Sequence, residues 1–537
     1  MDAEPTPTQV DITFKNYRCF PDSRPARISL RNGLTALVGV NNSGKSSLLK
    51  FFYEFRSLFQ MLSAPTGNLT NALEGERQGF SLGPSVFDKE EVFCNLNGRD
   101  LQLELRLVPG KGGGVPLALP ALSSMVITVP RGTDTWVAEL RVGGKPIEVG
   151  RGLGYSGTEL LVGGESVADL AGLFHVCKAL GQTLYVGPFR NAINIGVNED
   201  YFDIQVGQAF IKQWRQLKTG KVKRHNEAAY RLTEDIKGIF RFGDLEINPS
   251  PDDTTLQVFV NGRSYKLPEL GSGMTQFIVV LANAAVRQPS YILIDEPELN
   301  LHPSLQLDFL TTLASYAREG IIFGTHSIGL ARAAADRVYS LRSVAEGESE
   351  VSELEQTARL SEFLGELSFS GYRELGFNKV LLVEGVTDVK TVQQFLRLHK
   401  KDHQIVILPA GGSQMIVEGR EAELEEIKRI SDSVCALIDS EREGPDAVLD
   451  PPRASFVEAC AKAKISCHVL QRRAIENYLS DEAVKRVKGS KYRALEPYES
   501  LKDVSPAWSK AENWRIAREM TLDDLNGTDL GEFIASV

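Results

Sequence analysis

The 537-residue sequence has few cysteines, no long apolar run and no excess of basic residues. None of its six cysteines forms a Cys-x-x-Cys pair, which argues against a zinc ribbon or a disulfide framework. The longest apolar stretch, Phe277 to Val286, is interrupted by Asn283 and is too short to span a bilayer. The N-terminus lacks the apolar core of a signal peptide. We therefore expect a cytoplasmic protein.

The charge balance excludes a general electrostatic attraction to nucleic acid. Sixty basic residues against 70 acidic residues leave a net charge of −10, so any nucleic-acid contact must come from local basic patches. The composition, 42% hydrophobic and 24% charged, is that of a globular protein and excludes collagen, a coiled-coil rod and wholesale disorder. At about 150 residues per domain, the length predicts three or four domains.

The first part of the chain mixes strand and helix patterns. Short strands are predicted at 11–14, 26–30 and 34–38, followed by a helix over about 43–62. Residues 90–150 alternate apolar and polar side chains, which is typical of a β-meander. Residues 204–240 predict two amphipathic helices broken near Gly220.

The second part predicts an α/β unit. Short apolar strands alternate with helical segments, which indicates a parallel sheet of βαβ units with strands at 380–383, 405–408, 434–438 and 465–470. Before it, strands are predicted at 291–294 and 321–324, and an Asn261-Gly262 turn predicts a hairpin. We expect an α/β head over 1–345 with a helical insertion at 204–240, an acidic linker at 346–375, a second domain at 376–480, and a C-terminal region at 481–537 of unknown role.

A glycine-rich loop, Gly39 to Ser46, has the Gly-x4-Gly-Lys-Ser spacing between an apolar strand and a helix. Glycines let backbone N–H groups surround phosphates, and the helix N-terminus adds a positive dipole end. Lys45 would contact the β- and γ-phosphates, and the Ser46 hydroxyl would bind Mg²⁺. We expect the loop to bind ATP through Gly39, Asn41, Asn42, Ser43, Gly44, Lys45, Ser46 and Ser47.

The strand predicted at 291–294 is followed by two acids, Asp295 and Glu296. Acids at the end of a buried strand are costly unless a metal or a reaction uses them. Asp295 is predicted to hold Mg²⁺ through water, and Glu296 to polarise the attacking water.

Four segments in this order resemble the ABC ATPase heads of the SMC and RecF type: the phosphate loop, LGSGMTQ at 270–276, ILIDEPELNLHP at 292–303, and GTHS at 324–327. In such heads the signature segment binds the γ-phosphate held by the opposite protomer. The resemblance therefore implies a homodimer with two ATP molecules, to which Ser272 and Gly273 contribute. It also implies that His326 senses the γ-phosphate, and that Gln60 or Gln78 is the glutamine placed on Mg²⁺.

A second group of acids follows the strands of the C-terminal sheet. Glu384 and Asp388 come after strand 380–383, and Asp439 and Glu441 come after strand 434–438. Because the C-terminal ends of parallel strands meet at one edge, Glu384, Asp439 and Glu441 are expected to share a crevice, with Asp388 at its rim. Like charges this close repel unless cations neutralise them, and hard oxygen ligands suit Mg²⁺ or Mn²⁺.

This arrangement resembles the TOPRIM domain of topoisomerases, primases and OLD-family nucleases, in which a Glu follows the first strand and Asp-x-Asp a later one. Here the later motif is Asp439-Ser440-Glu441, so its last acid is Glu. The segment RRAIENYL at 472–479 is similar to one found late in the TOPRIM domains of OLD-like and PARIS-type defence proteins, which implies Glu476 as a further metal ligand. A nearby lysine would stabilise the transition-state phosphate, with the candidates Lys485, Lys488 and Lys491.

Two basic stretches are candidate nucleic-acid contacts. The first runs from Lys212 to His225 with Trp214 among its basic residues, which is also the pattern of a solvated face whose tryptophan packs against the head or a second protomer. The second adjoins the acidic crevice and comprises Arg472, Arg473, Lys485, Arg486, Lys488, Lys491 and Arg493.

An ABC head followed by a TOPRIM domain is similar to the OLD-family nucleases, including the Gabija nuclease subunit. The resemblance implies a nucleotide-gated, metal-dependent endonuclease that cleaves DNA in antiphage defence. A PARIS-like alternative has an ATPase sensor and a TOPRIM effector that cleaves tRNA. A RecF-like alternative is a repair ATPase whose TOPRIM domain is not catalytic. The relatives also imply a helicase, a reverse transcriptase or a phage trigger as partner, among which the sequence does not choose.

Overall fold

The computed structural model describes residues 9–108, 122–147, 152–188, 200–354, 379–402, 404–409, 424 and 433–537, without the side chains of 303 and 304. The chain divides into two compact units. The first unit comprises Met1–His326 with Tyr339–Leu354, and the second comprises Ser327–Val338 with Glu355–Val537. No helix in the described ranges is long and apolar enough to cross a membrane.

A six-stranded sheet carries the phosphate loop. Its strand order is Leu184–Val186, Tyr291–Asp295, Gly320–Thr325, Gly33–Val38, Arg337–Ala345 and Glu348–Glu353. The first four strands are parallel, and the last two pair antiparallel. Strands Tyr291–Asp295 and Gly320–Thr325 are buried at every position, as expected for central strands of a sheet covered on both faces.

The predicted meander belongs to a second sheet of the first unit, which is antiparallel. Its order is Ala26–Leu30, Gln9–Lys15, Leu101–Val108, Leu122–Val129, Thr135–Val142 and Gln78–Gly79, with Lys145–Pro146 beside Thr135–Val142. The alternation of buried and partly exposed residues along Gln9–Lys15 gives the sheet one apolar face. On that face Phe14 stacks on Phe51 of the helix Lys45–Glu54, with 4.5 Å between ring centroids.

The first unit also contains three small sheets. Their strands are Leu153–Ser156, Glu159–Val162 and Glu165–Asp169, then Asp200–Tyr201 with Ile204–Gln205, then Leu245–Pro249, Leu256–Val260 and Arg263–Lys266. The predicted hairpin is present, and Asn261 and Gly262 at its turn have φ values of 49° and 79°. Positive φ at both positions is what a two-residue turn of this kind requires.

The helices of the first unit are Lys45–Glu54, Arg56–Met61, Gly67–Leu73, Ala171–Leu180, Gly207–Thr219, Lys223–Phe240, Ser272–Arg287 and Pro303–Ala314, with short 3-10 turns at Lys89–Val92 and Leu267–Glu269. The break near Gly220 is confirmed. The single helix predicted over 43–62 is two helices, because Phe55 leaves helical geometry with φ −97° and ψ 13°. Trp214 is fully buried and donates its Nε1–H to the Ile247 carbonyl at 3.2 Å, so it packs inside and does not face a ligand.

The second unit is built on a four-stranded parallel sheet. Its order is Ile405–Pro409, Lys379–Val383, Val434–Ile438 and Ser466–Val469, and each neighbouring pair is parallel. These are the four strands that the sequence predicts, and every end agrees within one residue. Their C-terminal ends therefore lie along one edge, as the predicted carboxylate crevice requires.

The helices of the second unit are Ile328–Ala334, Val386–Leu398, Pro451–Lys462, Asp481–Lys488, Asn513–Arg518, Leu522–Leu525 and Asp529–Ser536, with 3-10 turns at Ile475–Tyr478, Leu501–Asp503 and Lys510–Glu512. Helix Val386–Leu398 packs against Ile328–Ala334 and Asn513–Arg518. Its Lys390 is fully buried and pairs with Asp336 at 2.8 Å. Residues 348–353, inside the predicted acidic linker, form a strand, and residues 355–378 lie outside the described part of the chain.

Candidate functional site

The phosphate loop has the backbone geometry that its glycines predict. A Cβ at Gly39 would lie 2.4 Å from the Leu341 carbonyl oxygen, and Gly44 caps the following helix with a φ of +99°. The Lys45 ammonium donates to the carbonyl oxygens of Gly39 at 2.7 Å and Val40 at 3.0 Å. Burial lowers the pKa of Lys45, although Asp295, Glu296 and Glu298 act in the opposite direction. The lysine thus lies over its own loop.

Ser46 and Asp295 come together as predicted. The Ser46 hydroxyl donates to Asp295 Oδ2 at 2.5 Å. The other oxygen, Asp295 Oδ1, is buried and accepts no hydrogen bond from the described residues. Burial raises the pKa of Asp295, and the bond from Ser46 partly offsets this. A hydroxyl beside a carboxylate with a spare buried oxygen fits Mg²⁺ bound together with a nucleotide.

Glu296 and His326 also meet at this site. His326 Nε2 lies 2.9 Å from Glu296 Oε1, and its Nδ1 lies 3.5 Å from the Lys45 ammonium. An ammonium has no lone pair, so Nδ1 is the acceptor in the contact with Lys45, and the Nε2–H faces Glu296. The positive φ of Glu296, 53°, directs the chain out of the Asp295 strand at this point. The structure therefore joins Lys45, Glu296 and His326 in one chain of contacts.

The signature-like segment begins the helix Ser272–Arg287, with Ser272 exposed at its first turn. A Cβ at Gly273 would lie 2.8 Å from the Asn300 carbonyl oxygen, so this glycine permits close packing. The two candidate glutamines make hydrogen bonds elsewhere. Gln60 donates to the Gly181 carbonyl at 2.9 Å, and Gln78 donates to the Glu76 carbonyl at 3.3 Å.

At the edge of the second unit's sheet, the predicted acids lie together. Glu384 Oε2 accepts from the Asp439 backbone N–H at 3.3 Å. Asp439 Oδ1 accepts from the Ile475 N–H at 3.0 Å, and Asp388 Oδ2 accepts from the Gly385 N–H at 2.8 Å. Main-chain donors thus orient three of the carboxylates at the strand ends.

These carboxylates resist ionisation. Burial, together with the charges of Glu384 and Glu476, raises the pKa of Asp388 to about 7. Burial and the facing charge of Asp388 raise the pKa of Asp439 well above its usual range. Burial also raises the pKa of Glu384. An excess of buried negative charge is the setting in which a bound cation is most favourable.

The sequence did not predict two cations that lie at this crevice. Lys510, in the C-terminal region of unpredicted role, pairs with Glu476 Oε1 at 2.8 Å. Burial alone would lower the pKa of Lys510, but Glu476, Asp439 and Asp388 raise it, so the side chain stays charged at neutral pH. Arg453 is 8% exposed and contacts Glu384 Oε1 at 2.8 Å and the Asp439 carbonyl at 2.9 Å.

The remaining predicted residues have other partners. Glu441 pairs with Arg473 at 2.9 Å. Of the three candidate lysines, Lys485 pairs with Asp481 at 2.5 Å and Lys488 with Glu512 at 2.8 Å, while Lys491 is exposed. Within the second basic stretch, Arg486 and Arg493 also pair with glutamates, so most of this stretch is neutralised inside the unit.

We tested whether the acidic crevice fits a metal ion. Across the described ranges, no three His, Cys, Asp or Glu side chains are arranged to hold one. Arg453 and Lys510 already neutralise Glu384 and Glu476. Asp388 and Asp439 retain the hard oxygen chemistry that Mg²⁺ and Mn²⁺ prefer, so the donor types fit a divalent cation.

Two family models match parts of the first unit and the start of the second. Residues 10–95 match the family described as "AAA ATPase domain", and residues 199–332 match "AAA domain, putative AbiEii toxin, Type IV TA system". The first segment contains the phosphate loop, and the second contains Ser272, Asp295, Glu296 and His326. The chain therefore carries ATPase sequence of the AAA type around the nucleotide site.

Two curated relatives are both called "Glutamate transport ATP-binding protein GluA". The one from Corynebacterium efficiens is 35% identical over 117 residues, which is 21% of this chain and 48% of the relative. The one from Corynebacterium glutamicum is 38% identical over 84 residues, which is 15% of this chain and 35% of the relative. The chain thus spans about half of the first relative and about a third of the second.

Solved SMC heads are similar at low sequence identity. The SMC head domain from Thermotoga maritima has a TM-score of 0.33 and 18% identity, covering 64% of this chain and 98% of that one. An SmcHead bound to the C-winged helix domain of ScpA has a TM-score of 0.37 and 12% identity, covering 64% and 96%. The third is an Smc head with an extended coiled coil, bound to the C-terminal domain of ScpA, from Pyrococcus furiosus. It has a TM-score of 0.35 and 12% identity, covering 67% of this chain and 100% of that one.

Proposed function

We propose that the protein is an ATPase whose nucleotide state controls metal-dependent cleavage of DNA phosphodiesters by its second unit, in antiphage defence. The observation that carries the cleavage step is the convergence of Glu384, Asp388 and Asp439 at one sheet edge, with Lys510 beside them. Carboxylates that can hold a divalent cation, with a cationic lysine beside them, are the groups that metal-assisted phosphodiester hydrolysis uses.

In the ATPase step, Lys45 would leave the carbonyls of its own loop and bind the β- and γ-phosphates. Ser46 and Asp295 would hold Mg²⁺, which neutralises phosphate charge when it is bound. Glu296 would accept a proton from the attacking water, and the Nε2–H of His326 holds the Glu296 carboxylate in place at 2.9 Å. The released Nδ1 of His326 would then face the γ-phosphate side of the site.

In the cleavage step, Asp388 and Asp439 would hold Mg²⁺ or Mn²⁺, with Glu384, Glu441 and Glu476 as the further acids of the crevice. When bound by these residues, such a cation would supply a nucleophile at neutral pH and would stabilise charge on the phosphate. Lys510 would contribute a positive charge to the pentavalent phosphate. Arg453 holds Glu384 in position through its contact at 2.8 Å.

A second candidate function is a RecF-like ATPase whose TOPRIM-like unit binds a partner without cleaving it. The pairing of Glu384 with Arg453 and of Glu476 with Lys510 favours it, because protein cations then satisfy the acids. In that case metal ions would not be needed for the crevice to be stable.

The test is a cleavage and hydrolysis assay on the full chain. Supercoiled plasmid, linear duplex DNA and total tRNA are incubated with Mg²⁺ or Mn²⁺, with and without ATP. We expect plasmid nicking that Glu384→Ala abolishes, and ATP hydrolysis that Lys45→Ala abolishes. Glu384→Ala is the control for hydrolysis, because Glu384 lies in the other unit, and nicking by Lys45→Ala reports how the nucleotide state controls cleavage.

The possible results separate the functions. Cleavage confined to tRNA would show that the substrate is tRNA, as in the PARIS-like alternative, and would contradict DNA as the substrate. ATP hydrolysis without any cleavage, under all metal conditions, would favour the RecF-like candidate. Nicking that is unchanged in Glu384→Ala would contradict the assignment of the crevice.

A further inference from the structure

Glu298 lies two residues after Glu296 and has no role in the ATPase step described above. Its Oε1 accepts two hydrogen bonds, from the Thr325 hydroxyl at 2.6 Å and from the His326 backbone N–H at 2.9 Å. Thr325 is the last residue of its strand, and His326 follows directly. One carboxylate oxygen therefore fixes the chain at the point where the strand gives way to the sensing histidine.

The His326 side chain needs such an anchor. It is 35% exposed, and its ring contacts Glu296 and Lys45 at opposite nitrogens. Both contacts depend on where the backbone places the ring. Because Glu298 Oε1 accepts hydrogen bonds from both Thr325 and the His326 N–H, it fixes the backbone that carries the ring.

The segment that carries Glu298 is itself held from the other side. The buried Gln276 amide donates to the Pro297 carbonyl at 3.4 Å, and Gly273 packs against the Asn300 carbonyl. Both residues belong to the helix that begins with the signature-like segment. The turn at 296–301 thus contacts this helix on one side and the chain at His326 on the other, and Glu298 makes the contacts with the chain at His326.

The second oxygen of Glu298 indicates that the residue is not there for stability. Oε2 is buried and accepts no hydrogen bond from the described residues. A buried acceptor without a donor is destabilising. Glutamine would provide the same Oε1 contacts without the buried charge.

We infer that Glu298 is a positioning residue of the ATPase site, which fixes the backbone of His326 so that the imidazole stands between Lys45 and Glu296. The inference rests on the ATPase part of the proposed function. It assigns no contact with ATP to Glu298 itself.

The test compares Glu298→Ala, Glu298→Gln and the surface control Glu246→Ala in steady-state ATP hydrolysis. Glu298→Ala removes both hydrogen bonds to the chain at His326, so we expect kcat to fall about 10- to 100-fold. KM for ATP should change by less than about threefold, because the phosphate loop is untouched. Glu298→Gln keeps an acceptor oxygen and should restore kcat to within about threefold of the wild type.

The outcomes are distinct. A kcat equal to that of the wild type in Glu298→Ala would overturn the inference. Equal losses of kcat in Glu298→Ala and Glu298→Gln would also overturn it, because the effect would then be due to the charge of Glu298. If Glu298→Ala is unfolded by thermal melting, Thr325→Val replaces it, with an expected loss of about threefold in kcat. An unchanged kcat in Thr325→Val would then overturn the inference. Absence of hydrolysis in the wild type would instead contradict the proposed ATPase.

Discussion

Lys510 illustrates how single residues complete the acidic crevice. Its ammonium pairs with Glu476 at 2.8 Å, and the charges of Asp439 and Asp388 also raise its pKa. The side chain lies 71 residues along the chain from Asp439. A cation at this place can offset charge on a phosphate oxygen, which none of the acids can do.

We predict that Lys510→Ala lowers the cleavage rate about 100-fold, because it removes a preorganised positive charge from the transition state. Lys510→Arg should retain part of the rate. The matched control is Lys485→Ala, since Lys485 pairs with Asp481 and not with the crevice. Rates are measured as plasmid nicking at saturating Mg²⁺, and equal losses in the two alanine variants would contradict the assignment.

The sequence predicts those residues of both sites that lie in motifs or directly after strands. Lys45, Ser46, Asp295 and Glu296 follow from strand-loop patterns, His326 follows from the resemblance to ABC heads, and the structure brings the five together. Glu384, Asp388 and Asp439 follow from the rule that parallel strand ends share an edge.

The partners that complete the sites are less accessible to sequence analysis. Arg453 is on a helix start, Lys510 is in a short 3-10 turn, and Glu298 lies in a turn after Glu296. Arg453 and Lys510 belong to no spaced motif that the sequence shows, and Glu298 lies within the motif at 292–303 without a role that the sequence assigns to it. Only packing decides which of the many charged side chains reaches an acid, so the sequence favoured Lys485, Lys488 and Lys491 instead.

At the scale of elements, the helix Asp529–Ser536 is fixed by its first residue. Asp529 accepts from the Tyr478 hydroxyl at 2.6 Å, the Gln471 N–H at 2.9 Å and His468 Nε2 at 3.0 Å. Burial alone would raise the pKa of Asp529, but the bonds from His468, Tyr478 and Gln471 lower it below its usual value. The ionised carboxylate therefore joins this helix to the edge of the parallel sheet.

We predict that Asp529→Asn lowers the free energy of unfolding of the second unit by about 2 kcal/mol at pH 7, because bonds to a charged acceptor are replaced by weaker ones. A lowered folded-state pKa contributes stability above the unfolded pKa, about 3.9, which is lost as the pH falls. The difference in the free energy of unfolding between the wild type and Asp529→Asn should therefore become smaller below about pH 4. Urea denaturation from pH 3.5 to 7 measures it, and a difference independent of pH would contradict the charge argument.

Element boundaries show where composition misleads. Residues 348–353 are acidic and suggest a linker, yet they form the edge strand of the six-stranded sheet. Exposed charges are typical of edge strands, since they discourage further strand pairing. A charged strand and a charged linker therefore look alike until the pairing partner, Arg337–Ala345, is known.

At the scale of the whole molecule, the resemblance of the motifs to SMC- and RecF-type heads implies that two chains form the proposed ATPase. Ser272 is exposed at the start of a 16-residue helix, as a residue that completes a partner's nucleotide site would be. Backbone N–H groups at such a helix start favour an anion.

We predict that Glu296→Gln with ATP and Mg²⁺ doubles the mass of the particle from the 59.1 kDa of one chain, because slow hydrolysis retains the nucleotide between two heads. Light scattering after size exclusion measures this. Adding Ser272→Arg to the variant should restore the single-chain mass while ATP still binds. A single-chain mass for Glu296→Gln at every ATP concentration would contradict the head-to-head dimer.

The interleaving of the two units along the chain limits how the protein can be dissected. The chain passes from the first unit into the second at Ser327 and returns at Tyr339, and these 12 residues include Asp336, the partner of the buried Lys390. No single cut in the gene separates the units. A fragment that starts at the second domain would leave an ammonium in an apolar interior without its carboxylate, which costs about 3–5 kcal/mol. An independently folding effector fragment must therefore carry the 327–338 segment grafted onto it.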